Sequence, residues 1–457
     1  MKIVQTIAYK MIQEAYKNKA NFVVLLLLNV FIVLLPIFLQ TDDTAQGQIK
    51  LFLNYSLMFT GFVLYMCTLF FTSSSLANEI QHKQIYLIDV KPVPRYQFIL
   101  GKFFGVACLN IIFLLCTSVV ISGMFEILRS VDKTPEEQAK IQKKIINVYQ
   151  EVPPFVDKNK LIQQVNREYR RLEAENRLPQ QPEHEIKEAI LQEITNLSLL
   201  VPVGMTKTWI FQDIPYQNLK KGDNLLLRYK LFTSEGNEFN IIRTEWQIGK
   251  GANRFFYTSE TKIGEMVEFS VPTYVVQSNN QVEVRLTHKN FEDGMIYFPA
   301  KEGINLYYPI GSFYSNFFKI IISMFLMSCF ISALCLFGCT FLNFPVAIFL
   351  TLVVLFLGLL SGIFQELVPM IKNLTPDQGI GKMIVVWLAN FSLDLSLFLI
   401  PNFSYHVPLE KLFSGWYISW NLIIDNIVYI GLLRTVLFLG LACWIFQYRE
   451  IGRPIHR

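Results

Sequence analysis

The chain has 457 residues, of which 52% are hydrophobic and only 17% are charged. Because soluble domains are nearer a quarter charged, this composition excludes an ordinary soluble enzyme or binding domain and favours a membrane protein. The formal net charge is +5, but residues 128–313 contain 24 basic and 24 acidic residues, so the surplus lies in the more apolar remainder. No basic surface accumulates on the polar part, which argues against binding of nucleic acid.

The N-terminal part of the chain predicts an interfacial helix followed by three membrane spans. Residues 1–20 place apolar side chains on one helical face and lysines around the other, which is typical of an amphipathic helix in the headgroup plane. Apolar runs at about 21–40, 51–72 and 103–127 are each long enough to cross a bilayer. We therefore assign residues 21–127 to transmembrane helices 1–3, with a charged segment at 73–104.

The C-terminal part, residues 314–457, predicts transmembrane helices 4–6 at about 317–341, 345–364 and 427–446. Residues 383–400 are also apolar but contain Asn390 and Asp394, and Pro401 follows at once. We interpret them as a re-entrant or interfacial element, with a seventh span as the alternative. The positive-inside rule favours six spans, because the basic residues of the termini and of the 73–104 segment then share the cytoplasmic side. These residues are Lys2, Lys10, Lys17, Lys19, Lys83, Lys91, Arg95, Lys102, Arg449, Arg453 and Arg457.

The polar region between spans three and four falls into two compositional parts. Residues 128–200 predict helices, the first from a capping sequence at Thr134–Glu137 to about Gln150 and two more at about 157–176 and 182–199. Residues 201–313 alternate with period two between Gly, Asn and Pro turns, which predicts seven or eight short strands in a β-sandwich. The predicted fold is a polytopic α-helical membrane protein with six transmembrane helices and an inserted extracytoplasmic α+β domain.

The sequence contains no pattern that predicts catalysis or cofactor binding. It has no G-x-x-x-x-G-K-[ST] phosphate loop, no recognisable hydrolase motif and no histidines at metal-ligand spacing. All seven cysteines lie in apolar runs, where cysteine behaves as a small hydrophobic residue, so the polar region has no disulfide framework. We therefore predict that the chain is not an enzyme and holds neither a metal nor a cofactor.

Polar residues inside the predicted spans are candidate functional sites. Arg434 lies about seven residues into the last span, where an arginine should face a partner or an aqueous path. Asp394 is a possible partner, and snorkelling to the outer headgroups is the alternative. We expect Asn29, Asn54 and Asn110 to make helix–helix hydrogen bonds rather than to bind substrate.

Three stretches together resemble the permease subunits of type 2 ATP-binding cassette (ABC) exporters. The first carries Glu79, then Lys91–Tyr96 with the sequence KPVPRY, then Leu100-Gly101-Lys102. The hairpin sequence at 340–347 and the ending IFQYRE at 445–450 are similar to the family's fourth-to-fifth turn and its closing tail. The chain differs from simpler members of the family in the long polar region between spans three and four.

The resemblance implies a dimer of six-span subunits in the inner (cytoplasmic) membrane, with both termini cytoplasmic and driven by separate cytoplasmic ABC ATPase subunits that bind the ATP. Residues implied to couple to the ATPase are Glu79, Lys83, Tyr86, Lys91, Pro92, Pro94, Arg95 and Lys102. Further expected partners are membrane lipids, a second permease copy or a paralogue, and an envelope partner for the polar domain. A membrane-anchored binding or assembly module without transport is the alternative function, and a lipid- or sugar-transferring enzyme is less favoured still.

Overall fold

A computed structural model describes residues 2–17, 19–39, 44–81, 94–130, 138, 141, 145–175, 177, 183–215, 219, 223–234, 241–288, 294–299, 303–372, 386–388, 390–392, 394 and 398–448. The chain divides into two compact units. The membrane unit comprises residues 1–146 and 312–457, and the β-rich unit comprises residues 147–311.

The membrane unit is built from helices. Its first half contains α1 (Lys2–Lys17), α2 (Lys19–Phe38), α3 (Ala45–Gln81) and α4 (Arg95–Ser130). Its second half contains α7 (Phe313–Phe341), α8 (Phe344–Lys372) and the short helices α9 (Phe403–His406), α10 (Leu409–Phe413) and α11 (Trp420–Asp425). The last span continues from α11 as a π-helix, Asn426–Arg434, and ends as α12 (Thr435–Tyr448).

Five helical stretches among the described residues are long and apolar enough to cross a membrane, namely 45–76, 95–130, 313–341, 344–362 and 420–448. The pair formed by α1 and α2, bent by 66°, brings the number to six if it counts as one span. The 36 residues of α4 correspond to about 54 Å at helical rise, which exceeds the roughly 30 Å of the hydrocarbon core. Helix α4 is therefore longer than the apolar layer is thick and extends beyond it.

α7 is the central helix of the membrane unit. Most of its side chains are buried, and it packs against α3, α4, α8 and α12. Its first turn stacks on the far end of α4, where the rings of Phe313 and Phe125 lie 4.3 Å apart. The connection from α7 to α8 is only two residues long, so these helices form a tight hairpin.

The β-rich unit contains a helical hairpin and eleven strands. The hairpin is α5 (Lys158–Ala174) and α6 (Glu183–Ser198). The strands form three antiparallel sheets with the orders β1-β11-β4-β8, β2-β10-β5 and β3-β9-β6-β7. Their bounds are β1 Asn147–Val152, β2 Leu200–Val201, β3 Thr206–Phe211, β4 Asn224–Lys230, β5 Phe232–Thr233, β6 Ile241–Ile248, β7 Phe255–Lys262, β8 Met266–Pro272, β9 Val282–Thr287, β10 Ile296–Tyr297 and β11 Ile304–Ser312.

Alternate residues of these strands face one apolar core. Along β6 the side chains of Ile242, Thr244, Trp246 and Ile248 are buried, whereas Ile241 and Arg243 are exposed, as strand geometry requires. Trp246 lies between other aromatic rings, 4.7 Å from Tyr229 and 6.1 Å from Trp209. This burial supplies the stability of a unit that has no cysteine.

Two parts of the sequence-based secondary structure were wrong. The helix predicted to reach about Gln150 gives way to β1 at Asn147, where Val148, Tyr149 and Val152 are buried. Pairing with β11 overrides the local helical pattern there. Strand β11, which pairs with β1 and β4, was not predicted.

Candidate functional site

A buried ion pair joins the end of α3 to the first turns of α4. Lys102 Nζ lies 2.9 Å from Glu79 Oε2, and the lysine side chain is only 2% exposed. The same Nζ donates to Ser75 Oγ at 2.6 Å and to the Ser75 carbonyl oxygen at 3.2 Å. The Lys102 ammonium is therefore paired with one carboxylate and donates two hydrogen bonds to Ser75. Ser75 and Glu79 are four residues apart on α3 and therefore share one face.

Helix α1 covers this ion pair. Ser75 Oγ donates to Met11 Sδ at 2.9 Å, and Lys10 Nζ lies 3.9 Å from Glu79 Oε1. We call Lys10, Met11, Ser75, Glu79 and Lys102 the Glu79 cluster. Three helices that are separate in the chain thus meet at one charged pair.

Two glycines of α4 allow α1 to approach its backbone closely. A Cβ at Gly101 would lie 2.7 Å from Ile7 Cβ, and a Cβ at Gly105 would lie 2.7 Å from Met11 Cβ. Gly101 and Gly105 are four residues apart and form the small-xxx-small pattern that permits tight helix packing in membranes. Any larger side chain at either position would displace α1.

The start of α4 also contacts the end of the last helix. Arg95 Nη1 donates to the Gln447 carbonyl oxygen at 3.4 Å, and the rings of Phe98 and Phe446 stack at 6.0 Å. Helices α1, α3, α4 and α12 therefore converge at the same end of the membrane unit. Pro94 is exposed immediately before α4.

Four residues expected to couple to an ATPase, Lys83, Tyr86, Lys91 and Pro92, lie outside the described residues. The structure describes residues on either side of that segment, namely Glu79 before it and Arg95 and Lys102 after it. The coupling role of all eight residues stays a prediction.

A second polar contact joins three helices at the middle of the bundle. Thr68 Oγ1 of α3 donates to Asn110 Oδ1 of α4 at 2.9 Å, and Asn110 Nδ2 donates to Ser328 Oγ of α7 at 3.1 Å. Asn54 lies half-buried on α3. Asn29 Nδ2 donates to the Leu25 carbonyl oxygen of its own helix at 2.9 Å, so the helix–helix bond expected of Asn29 stays a prediction.

The opposite end of the bundle holds a polar network without a carboxylate. Asn426, at the start of the π-helix, donates to Ser323 Oγ at 3.0 Å and to the His406 carbonyl oxygen at 2.8 Å. Its Oδ1 accepts a hydrogen bond from His406 Nδ1 at 2.6 Å. The pKa of the His406 imidazole lies below its ordinary value, and burial is the largest cause.

Helix α7 also binds the backbone of the segment that follows α10. Asn316 donates to the Trp416 carbonyl oxygen at 2.8 Å and accepts from the Ile418 amide at 3.2 Å. Lys319 Nζ donates to the Ile418 carbonyl oxygen at 2.7 Å and is fully buried. We call Asn316, Lys319, Ser323, His406 and Asn426 the Asn426 cluster.

Arg434 is buried at the end of the π-helix. Its Nε donates to the Phe398 carbonyl oxygen at 2.6 Å, and its guanidinium lies 6.0 Å from the Phe398 ring. The contact brings Arg434 to the segment that contains Asp394, which is exposed. Eight of the eighteen residues 383–400 lie outside the described residues, so the re-entrant element stays a prediction.

Sequence reasoning did not find the Asn426 cluster. His406 and Asn426 lie in different elements, and Lys319 near the start of a span reads as an ordinary interfacial lysine. The one available signal was the combination of asparagine, lysine and serine at 316, 319 and 323, which shares a helical face. Within the described part of the chain no group of three His, Cys, Asp or Glu side chains is placed to hold a metal ion.

Comparison with known proteins identifies the first part of the membrane unit. The family model for ABC-2 family transporter proteins matches residues 11–141, a range that contains most of the Glu79 cluster and both of its glycines. No curated protein matches the chain. The resemblance to the permease family is confirmed for this segment, because residues 11–141 match the model of an ABC-2 family transporter permease domain.

The fold and the family together define the class of protein. The chain is a multi-pass membrane protein, and the family matched by residues 11–141 is a component of membrane transport. A region of three antiparallel sheets lies between its membrane helices in the chain.

Proposed function

We propose that this chain is the permease subunit of an ABC-type exporter, and that a separate subunit hydrolyses the ATP. The observation that carries the proposal is the family match over residues 11–141, because that range encloses the segment between α3 and α4. A permease without a phosphate loop needs an ATPase to drive it.

The Glu79 cluster supplies a physical route for this coupling. Residues before the segment are tied to α4 and α1 through Glu79, and residues after it are tied to α12 through Arg95. A displacement of the segment by a bound ATPase would therefore act on four helices at once. Coupling of this kind needs contiguous, rigid elements between the two sites.

The proposal includes finer features. Two copies, or one copy and a paralogue, form the transport unit in the inner membrane, each with six spans and a re-entrant element at 383–400. Both termini and the 73–104 segment face the cytoplasm, where the ATPase binds ATP. The three sheets form a β-sandwich on the other side, available to an envelope partner, and lipids surround the spans.

The test is purification of the tagged full-length chain from its native membranes, with ATP hydrolysis as the readout. We expect an ATPase subunit to co-purify and the preparation to hydrolyse ATP. Arg95→Glu should abolish this association while the protein still elutes as a single species. Arg129→Glu, a reversal at the far end of the same helix, is the matched control and should keep the ATPase.

A charge swap makes the test independent of folding defects. Glu79→Lys places two ammonium groups together and should release the ATPase, whereas Glu79→Lys with Lys102→Glu restores the pair and should recover it. If well-folded Arg95→Glu and Glu79→Lys proteins retain full ATPase activity, the proposed coupling site is wrong. Absence of any ATPase from the unmodified preparation would refute the proposed function itself.

A further inference from the structure

A cavity of about 220 Å³ lies between helices α1, α2, α3 and α4 of the membrane unit. Its wall includes Ile12 from α1, Leu25 from α2, Phe71 from α3 and Phe113 from α4, among other apolar side chains. We call it the α1–α2 cavity, because it lies on the inner side of the bend of 66° between these two helices. Each of the four helices contributes to its wall.

The α1–α2 cavity opens to the outside of the bundle at this bend. Tyr16 near the end of α1 and Phe22 near the start of α2 both line it, and they are 86% and 63% exposed. An exposed ring on either side of the bend therefore flanks the mouth of the cavity.

The polar side chains of the wall are already paired. Thr68 Oγ1 donates to Asn110 Oδ1 at 2.9 Å, and Asn110 Nδ2 donates to Ser328 Oγ at 3.1 Å. A buried water molecule needs two to four polar partners, so this wall favours hydrocarbon over water. Apolar protein cavities of about 150 Å³ take up molecules the size of benzene, and the α1–α2 cavity is larger.

The surroundings of the mouth determine which hydrocarbon is available. The lining residues of α3 and α4, such as Cys67 and Leu109, belong to the stretches 45–76 and 95–130, which are apolar enough to cross a membrane. A bilayer surrounds such helices with acyl chains. The molecule that meets an opening between them is therefore a membrane lipid.

Two lysines give the mouth a positive charge. Lys17 is the last residue of α1 and Lys19 is the first of α2, and both are exposed. Lys19 and Phe22 are three residues apart on α2 and share one face. Neither lysine forms an ion pair with another described residue, whereas Glu14, the acidic residue of α1, pairs with Lys10 at 3.6 Å. Basic residues beside an apolar surface attract anionic lipids.

We propose that the α1–α2 cavity binds one acyl chain of an anionic phospholipid, whose phosphate lies at Lys17 and Lys19. The inference goes beyond the lipids that surround the spans in the proposed function, because it names one site, one headgroup charge and the residues that select it. Ile12, which lines the cavity, directly follows Met11 of the Glu79 cluster. A chain bound beneath α1 therefore supports the helix that covers the Glu79 ion pair.

The test is a lipid titration of the purified full-length protein in a neutral detergent, with bound lipids counted by native mass spectrometry. The two probes are phosphatidylglycerol and phosphatidylcholine with identical acyl chains. We expect one phosphatidylglycerol to bind about 30-fold more tightly than phosphatidylcholine, which is the effect of two basic residues beside an anionic headgroup.

Charge variants test the headgroup contact. Lys17→Gln with Lys19→Gln should remove this preference, and Lys17→Arg with Lys19→Arg should keep it. The matched control is Lys158→Gln with Lys160→Gln, which removes two exposed lysines at the same spacing from α5. It should leave the preference unchanged.

A cavity-filling variant tests the site of the acyl chain. Cys67→Phe places a ring in the cavity and should weaken phosphatidylglycerol binding at least tenfold. Cys108→Phe, at an exposed position of α4, adds the same ring outside the cavity and should keep the binding.

Either of two results overturns the inference. One is equal binding of phosphatidylcholine and phosphatidylglycerol to the unmodified protein. The other is equal binding of phosphatidylglycerol to the Cys67→Phe and Cys108→Phe proteins. If Cys67→Phe does not fold, the exposed lysine variants still decide, because unchanged preference after Lys17→Gln with Lys19→Gln also contradicts the site. The titration needs no ATPase, so failure here is distinct from failure of the proposed function.

Discussion

The two ends of the membrane unit pair their buried polar groups in different ways. Both ends hold buried polar groups among apolar helices, where an unsatisfied group is costly. The Glu79 cluster joins side chain to side chain through opposite charges on α3 and α4. The Asn426 cluster uses amides, an imidazole and one lysine to satisfy the backbone of the irregular segment around α9 and α10.

This difference has a consequence for what each end can do. The electrostatic energy of a charge pair changes with the distance between its two partners. A charge pair therefore suits an end of the bundle at which the helices move. A network that pairs donors with buried backbone carbonyl oxygens fixes a single loop conformation, because those oxygens have no other partner. We infer that the helices at the Glu79 end can move relative to one another, whereas the loop at the Asn426 end keeps one conformation.

The largest effect should come from breaking the charge pair. Glu79→Gln leaves the buried Lys102 ammonium without its counter-charge, and removal of one partner from a buried pair costs about 3–5 kcal/mol. The thermal midpoint in detergent, read by loss of monodispersity, should fall further than for any other variant below. Lys10→Ala, which removes the exposed and distant neighbour of Glu79, is the control and should change little.

Removal of both charges sharpens this prediction. Glu79→Gln with Lys102→Gln should recover part of the lost stability, since no isolated charge is left in the bundle. If the double variant loses, relative to the unmodified protein, the sum of the two single losses, the two residues do not act as a pair.

An intermediate effect should come from the opposite end. Asn426→Leu has a similar volume but removes the donor to the His406 carbonyl oxygen and the acceptor of His406 Nδ1. Because interhelical hydrogen bonds in membranes are individually modest, the expected loss is about 2 kcal/mol. Asn54→Leu on α3 is the control. A loss as large as that of Glu79→Gln would contradict the contrast between the two ends.

The packing of α1 on α4 gives a smaller effect with an internal control. Gly105→Ala adds a Cβ 2.7 Å from Met11 Cβ, and overpacking of this kind typically costs about 1–3 kcal/mol. Gly123→Ala, on the same helix but with nothing within 4 Å, should instead raise the thermal midpoint, because alanine has the higher helix propensity. Equal effects of the two substitutions would show that α1 does not depend on the glycine face.

The smallest effect should be a pH dependence that belongs to the Asn426 end. Burial lowers the pKa of His406, so the unfolded chain takes up a proton near pH 6.5 while the folded protein does so only at lower pH. Stability is therefore fully present above about pH 6.5 and falls as the pH is lowered, by at most about 1.4 kcal/mol per unit. The thermal midpoint measured from pH 7.5 to 5 checks this.

His406→Gln should remove this contribution to the slope. His184→Gln, at an exposed position of α6, is the control and should leave it in place. A slope of the opposite sign, with stability rising below pH 6.5, would contradict the assignment.

The sequence predicted the five candidate spans and most strands because their signals are local. Apolar runs and period-two alternation depend on neighbouring residues, so α7, α8 and β6 fall close to the predicted ranges. Strands β1 and β11 were missed because each is stabilised by distant partners in its sheet. Local pattern does not contain that information.

For the same reason, only part of the candidate site was predicted from the sequence. Glu79 and Lys102 were singled out by motif, but their mutual contact depends on how α3 packs on α4. Ser75 and Met11 carried no signal, since a serine and a methionine in apolar helices are ordinary residues. Asn110 was expected to bond another helix and does so, whereas Asn29 bonds its own.

The pairing of β1 with β11 makes the β-rich unit a module that begins and ends at one place. Its first strand, Asn147–Val152, and its last, Ile304–Ser312, are neighbours in a single sheet. A domain whose termini are close together can be exchanged as a cassette without separating the elements that flank it. In the membrane unit those elements, α4 and α7, already touch through Phe125 and Phe313. The chain is therefore suited to domain replacement: a short linker between these two helices would keep the membrane bundle while a different domain took the place of residues 147–311.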